Sequence, residues 1–335
     1  MRLLVKFQAS MNKAIKYLGF GLLTVGGIAI ALLTRASATQ PDSPAAPTMD
    51  VITPTSPAWT VSAPTYSSST PDLKPAASVP PTFPPDFILA DQIVQILPDY
   101  GGDWNILVRA VHADGTRDMV AINANRKDHV ASLIKLPIAM LFFKTLEARG
   151  IPPEAYETYL SERGIERTYM QLLTAMLVES EEAATGIMME IIADSMIDVP
   201  AILEAWGAPD TDIRTRHSTP RDIATLYEEL YYGNAIAHEG REVILRLLST
   251  YTENDDTRLG VLRPYLREGS AYYNKRGTVT QERLIVADSA LIAFDSNEVY
   301  VIVIVAYAGE HPTTDVKLVQ GIEAIARTLW DFIKP

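Results

Sequence analysis

Cysteine does not occur anywhere in the 335 residues. That excludes disulfides, thiolate metal sites and a cysteine nucleophile, and it leaves the redox compartment open. The five histidines (His112, His129, His217, His238 and His311) are scattered, with no pair at ligand spacing, so no metal site is read. Positive charge is short: 29 Lys and Arg stand against 41 Asp and Glu, a net of -12. Residues 91–335 alone hold 23 against 37, or -14. A domain that acidic is repelled by phosphate and is a poor nucleic-acid binder. There is no P-loop and no G-x-G-x-x-G after a strand, so no nucleotide cofactor is implied. The nearest glycine-rich piece, residues 19–27, lies in an apolar run where glycine suits membrane packing or a flexible signal. No internal repeat is visible.

The chain is long enough for one large domain or two ordinary ones, and 47% of it is hydrophobic, which allows a sizeable core. Arg2, Lys6, Lys13 and Lys16 precede an uncharged, mostly apolar run over residues 17–34. That is the pattern of an export segment, assigned to residues 1–38. Ala36-Ser37-Ala38 suits cleavage of a signal peptide, whereas the length of the run suits an uncleaved anchor with its basic end inside. Either way the remainder is expected outside the cytoplasm, secreted or held at the membrane through residues 17–34. Residues 39–86 contain twelve of the 22 prolines among Ser, Thr and Ala, and read as an extended, disordered linker.

Residues 87–335 read as an α+β domain. Apolar spacing predicts a helix over residues 87–97, ended by Pro98, then a hairpin of strands 104–111 and 118–122 around Asp114-Gly115. The run 131–144 (ASLIKLPIAMLFFK) reads as a helix whose first turns Pro137 loosens. Residues 155–248 are helical almost throughout, with helices over 167–178, 183–193, 200–206 and 222–232. Ser218-Thr219-Pro220 is a start signal for the last. Three strands follow (273–279, 283–294 and 299–308), then an amphipathic helix over 313–333. First and last strands must meet, giving a mainly antiparallel sheet of about five strands. N- and C-terminal helices pack on it, and an all-helical subdomain is inserted between strands 2 and 3.

Three short stretches carry chemistry. In Ser132-Leu-Ile-Lys135 a helical turn puts a hydroxyl and an amine on one face, and a lysine in an apolar pocket can lose its proton and activate a serine. Ser180-Glu181-Glu182 opens a helix, and Lys275-Arg276-Gly277-Thr278 lies on a strand. In this order they resemble the S-x-x-K, S-D-N and K-T-G signatures of the penicillin-recognising serine enzymes, most closely the class A β-lactamases. ASLIKLP, the AAT after the second motif and STPRDIATL extend the resemblance over about residues 87–335. It implies an acyl-enzyme hydrolase without cofactor or metal, acting on a β-lactam or a peptidoglycan peptide amide. Ser132 would be the nucleophile and Lys135 its proton acceptor, directly or through water. The Ser132 N–H would supply half of the oxyanion hole, and the strand near Val279 or Thr280 the other half. Ser180 would pass a proton to the leaving nitrogen, and Lys275 would hold Ser180 and the substrate carboxylate. Arg276, Gly277 and Thr278 would line the substrate. A monomer is expected.

Departures from the family pattern matter equally. Glu182 replaces the family's Asn; as a neighbour of Lys135 and Lys275 it is expected to raise their pKa values, or to act as a base itself, or to be a solvated helix start. Arg276 stands where the family has a hydroxyl residue, with Thr278 as a substitute hydroxyl, and could grip a carboxylate or point to solvent. The family's E-x-x-L-N loop, whose Glu activates the deacylating water, has no counterpart. Residues 207–217 (GAPDTDIRTRH) hold only Asp210 and Asp212. The expectation is impaired deacylation; the alternative is a non-catalytic envelope protein that binds peptidoglycan or a partner through the old cleft.

Overall fold

The computed structural model describes residues 86–112, 115–250, 252, 257–281, 283–295 and 298–334. The export segment, the linker up to residue 85 and the turns at 113–114 and 296–297 lie outside the described residues.

Helix α1 (Asp86–Tyr100) leads into strands β1 (Asp103–His112) and β2 (Gly115–Ile122). The helix runs past Pro98, where the sequence predicted its end. In the last turn a proline forfeits only one helical hydrogen bond. Gly101 and Gly102 stop the helix instead, with φ of 64° and 69°. Strands β5 (Ala271–Val279), β6 (Ile285–Asp295) and β7 (Glu298–Tyr307) complete an antiparallel sheet in the order β2-β1-β7-β6-β5. Early and late segments meet where β1 pairs with β7, from Asp103 opposite Tyr307 to Val111 opposite Val299.

Side chains alternate across β7, and both faces are covered. Val299, Val301, Val303 and Val305 join the core under the helical insert. Tyr300, Ile302, Ile304 and Ala306 join the core under α1 and the C-terminal helix α9 (Asp315–Ile333). This is why the strand is a continuous apolar run.

The insert holds helices α2 (Lys135–Ala148), α3 (Tyr156–Glu162), α4 (Tyr169–Leu177), α5 (Glu182–Ala193), α6 (Val199–Ala205), α7 (Pro220–Tyr231) and α8 (His238–Leu248). Helix α4 starts two residues later than predicted. Thr168 caps it, accepting from Gln171 N–H at 3.1 Å while the Gln171 side chain accepts from Thr168 N–H at 2.9 Å. Thr219 caps α7 as its start signal predicts, with Pro220 at the first position.

The insert is not all helical. Strand β3 (Asp128–His129) pairs with β4 (His217–Ser218). Two-residue strands leave no periodic trace in a sequence, but this ribbon ties the start of the insert to the segment before α7, beside the turn described below. A 3₁₀ segment, Arg258–Tyr265, precedes β5 and was also not foreseen. Among the described residues no helix is long and apolar enough to cross a membrane.

Candidate active site

Ser132 lies in a 3₁₀ turn, Ala131–Ile134, that runs into α2 at Lys135. Pro137 is the third residue of α2, where a missing N–H costs no helical bond. Ala131, just before the serine, has a left-handed φ of 52°. The amides around it are spoken for. Val130 N–H donates to Arg216 O at 2.9 Å, and Leu133 N–H to Val130 O at 3.2 Å. Ala131 N–H donates to His129 Nδ1 at 3.1 Å. The Ser132 N–H donates to no group among the described residues. An amide left open in so buried a turn is what an oxyanion requires.

Strand β5 presses on this amide at Gly277. A Cβ built there would fall 2.7 Å from Ser132 N and 2.8 Å from Ala131 Cβ. The strand therefore packs against the nucleophile's amide at Gly277.

Lys135 is fully buried. Its Nζ donates to Ser180 O at 2.6 Å, Ser180 Oγ at 3.2 Å and Glu182 Oε1 at 2.8 Å. Three acceptors use all the hydrogens of an ammonium, and Ser132 Oγ is not one of them. A neutral amine has one hydrogen fewer and a lone pair, so loss of a proton frees Nζ for Ser132. Burial pushes the Lys135 pKa down, and Glu182 opposes this without cancelling it. The expected rise is thus corrected: an opposite charge does raise a lysine, but here desolvation outweighs it. Lys275 is pushed down to about 7 by burial, then by the charges of Lys135 and Arg276.

Ser180, held at a left-handed φ of 60°, stands between the two lysines. Its Oγ accepts from Lys135 Nζ at 3.2 Å and from Lys275 Nζ at 3.1 Å. With both lone pairs taken, its own hydrogen is left to point into the cleft. The carbonyl of Lys275 accepts from Ser289 Oγ at 3.0 Å, which fixes the strand behind it.

Glu182 opens α5 and is exposed, as a helix start would be, but it is also paired. One carboxylate oxygen binds Lys135 and the other binds Arg216. The Arg216 hydrogen bond, helped by Lys135, holds its pKa down to about 2 against partial burial. A carboxylate so stabilised is a weak base. Glu181, by contrast, precedes the helix and pairs outward with Arg167 at 2.7 Å.

Arg216 was not singled out in the sequence. It comes from residues 207–217, where the family's loop would supply a carboxylate. Here Asp212 folds that stretch, accepting from Arg214 N–H at 2.9 Å and Thr215 N–H at 3.3 Å, and bridging to His217. Arg216 follows with a φ of 58°. Asp210 bonds through its backbone to Asp222 at 2.8 Å. In place of a base the loop delivers a cation.

Arg258 was also missed, being one arginine in a segment without periodicity. Its guanidinium donates to Gly277 O at 3.1 Å, Ala287 O at 3.0 Å and Thr278 Oγ1 at 2.7 Å. Nearby Asp288 is fully buried and accepts from Leu259 N–H at 3.0 Å and Asn274 Nδ2 at 2.7 Å. Burial raises its pKa to about 6. Arg276 reaches Thr252 Oγ1 at 3.3 Å rather than open solvent. The result is one cleft of about 640 Å³ lined by residues that include Ser132, Ser180, Glu182, Arg258, Lys275, Arg276, Gly277 and Thr278. Lys135 lies beneath its floor.

Comparison with known proteins agrees with this fold. A structure titled as a representative of class A β-lactamase from Bacteroides cellulosilyticus matches with a TM-score of 0.57 at 14% identity, over 74% of this chain and 98% of that one. The TLA-1 extended-spectrum β-lactamase matches with a TM-score of 0.59 at 14% identity, over 75% and 99–100% of the two chains. An ancestral class A β-lactamase matches with a TM-score of 0.56 at 18% identity, over 72% and 99%. At these identities the likeness is one of fold. No curated protein matches the sequence. The family model described as the β-lactamase enzyme family matches residues 88–333, the span that holds the sheet, the insert and the cleft, and the chain belongs to that family.

Proposed function

We propose that this chain is an exported serine hydrolase of class A type that acylates Ser132 with a β-lactam or a cell-wall peptide amide and releases the acyl group slowly. Residues 1–38 serve as export signal or anchor, 39–86 as a tether and 87–335 as the catalytic domain of a monomer. Neutral Lys135 takes the Ser132 proton, directly or through water, as Oγ attacks the carbonyl. The tetrahedral oxyanion is met by the Ser132 N–H and by the backbone that follows Gly277. Ser180 passes its outward hydrogen to the leaving nitrogen and is recharged by the lysines on either side. Lys275, with Arg276 beside it on β5 and Arg258 lining the same cleft from the preceding 3₁₀ segment, draws the substrate carboxylate.

The observation that carries slow release is the pairing of Glu182 with Arg216. The loop that would bring a base brings the group that neutralises the nearest carboxylate. The test is the intact mass of the purified protein followed over time with a labelled penicillin. A persistent adduct that maps to Ser132 and is absent from Ser132→Ala is expected. Rapid loss of the adduct with accumulating product would instead mean efficient turnover. The occupied hydrogens of Lys135 favour a second reading, a non-catalytic envelope protein. A folded protein that forms no adduct and cleaves no D-alanyl-D-alanine peptide would establish it.

Glu182→Gln separates the two roles of that carboxylate. Losing the negative charge lowers the Lys135 pKa further, so acylation near pH 6.5 should speed up about three- to ten-fold. The adduct half-life should change by less than about two-fold, because a carboxylate pinned by two cations contributes little as a base. Stopped-flow acylation and mass-monitored decay read the two separately. A collapse of deacylation in this variant would restore Glu182 as the base.

A further inference from the structure

We propose that His129 is a positioning residue for the nucleophile. Its Nδ1 holds the Ala131 N–H, and this bond keeps the turn that presents the Ser132 amide in working geometry only while the imidazole is neutral. The inference rests on the acylation reading above.

Ala131 carries a Cβ at a φ of 52°, which a residue other than glycine adopts only when its surroundings over-determine it. Three bonds do so here. Two are backbone to backbone, Val130 N–H to Arg216 O at 2.9 Å and Leu133 N–H to Val130 O at 3.2 Å. The third, at 3.1 Å, is the only one whose acceptor can titrate. It is also the one adjacent to the open Ser132 amide. Val130 and Ala131 are 1% and 0% exposed, so an Ala131 amide that loses its acceptor has no water to turn to.

The bond fixes the tautomer. An Nδ1 that accepts has no proton, so the neutral ring carries its hydrogen on Nε2. An imidazolium has an N–H at both positions and would point one donor at another. The groups around the ring set its preference. His217 on β4 packs edge-on with ring centroids 5.7 Å apart, and its own Nδ1 lies 2.8 Å from Thr215 O, as a donor. Arg216 precedes it. Asp128, beside His129 on β3, is shared with Arg283 at 2.9 Å and with Arg126 at 3.9 Å, which spends its charge elsewhere. Burial, then His217 and Arg216, lower the His129 pKa, and Asp128 opposes them only in part. The ring is therefore neutral at pH 7, and protonation in mild acid removes the acceptor. Arg216, whose charge opposes an imidazolium here, is also the partner of Glu182.

The test compares the full-length protein with His129→Asn and His129→Leu. The Asn side-chain oxygen sits where Nδ1 does and accepts without titrating; Leu cannot accept. Single-turnover acylation by a labelled penicillin is measured from about pH 5 to about pH 8. His129→Asn should acylate within about three-fold of wild type at the alkaline end, and His129→Leu at least about ten-fold more slowly. The ratio of wild type to His129→Asn should be flat above neutrality and fall about ten-fold at the acid end. Taking the ratio cancels any limb that Lys135 or Lys275 adds to both proteins. A second readout needs no chemistry: hydrogen exchange of the 130–134 backbone, corrected for its intrinsic pH dependence. Protection should be lost in acid by wild type, kept by His129→Asn and absent from His129→Leu. A ratio that does not change with pH, or Leu acylating like wild type, overturns the proposal. If wild type forms no adduct at any pH, the acylation reading fails. Exchange then decides the role of His129 alone: unchanged protection across the three proteins overturns it, and the expected pattern sustains the hydrogen bond as the device that sets the turn.

Discussion

Lys135→Met is expected to slow adduct formation at Ser132 about 10³-fold while leaving the melting temperature unchanged or higher. The two effects part company because Lys135 is a burden to the fold and a necessity to the chemistry. Its amine is fully buried in the core of the insert, and desolvation is the largest influence on it. Methionine fills nearly the same space and has no charge to desolvate. Glu182 keeps Arg216 as a partner, so no carboxylate is stranded. What disappears is the lone pair that takes the serine proton. Stopped-flow acylation with a labelled penicillin, beside a thermal melt of the same preparation, reads both quantities. Acylation within about ten-fold of wild type would move the base to Ser180 and Lys275.

Gly277→Ala should cost about 10²-fold in acylation, with a stability loss of only about 1–3 kcal/mol. The added methyl would sit 2.7 Å from Ser132 N and 2.8 Å from Ala131 Cβ, and neither is the free end of a flexible side chain. One backbone must give. The turn is braced by the β3–β4 ribbon, and β5 is an edge strand strapped by Arg258 through Gly277 O. Either displacement parts the two amides that must converge on one oxygen, and sub-ångström errors there are expensive in rate. The adduct should still form at Ser132, slowly, and a melt should show a folded protein. An unimpaired rate would mean that the β5 backbone is not part of the oxyanion site.

Much of this was legible in the chain because it follows from local rules. The β-branched, apolar run of β7 and the Thr219-Pro220 start of α7 need only nearest neighbours. The three motifs fall in one cleft as their order implies. What could not be read depends on burial and on distant pairing. That Glu182 pulls the Lys135 pKa upward is visible in the residues; that burial pulls harder is not, since nothing in a sequence states how dry a position is. Arg216 meets Glu182 across 34 residues through a left-handed kink at a non-glycine residue. No spacing rule anticipates that. Arg258 likewise acts on carbonyls of strands that only register brings to it. The packing of Gly277 against the Ser132 amide depends on where β5 lies in the sheet, with Gly277 opposite Ala287 of β6.

The central pairing of β1 with β7 makes the nucleophile answerable to the far end of the chain. Ser132 leaves the ribosome long before β7, yet β1 has only the hairpin partner β2 until residues 298–307 arrive, and β5 and β6 reach β1 only through β7. Contacts of such long sequence separation form late, because loop closure opposes them until the sheet rewards it. The packing of Gly277 against the Ser132 amide is therefore expected to form late. A polypeptide halted before β7 carries all three motif stretches but lacks the strand that joins β1 to β6, so the capacity to be acylated is expected to report that β7 has been made and docked.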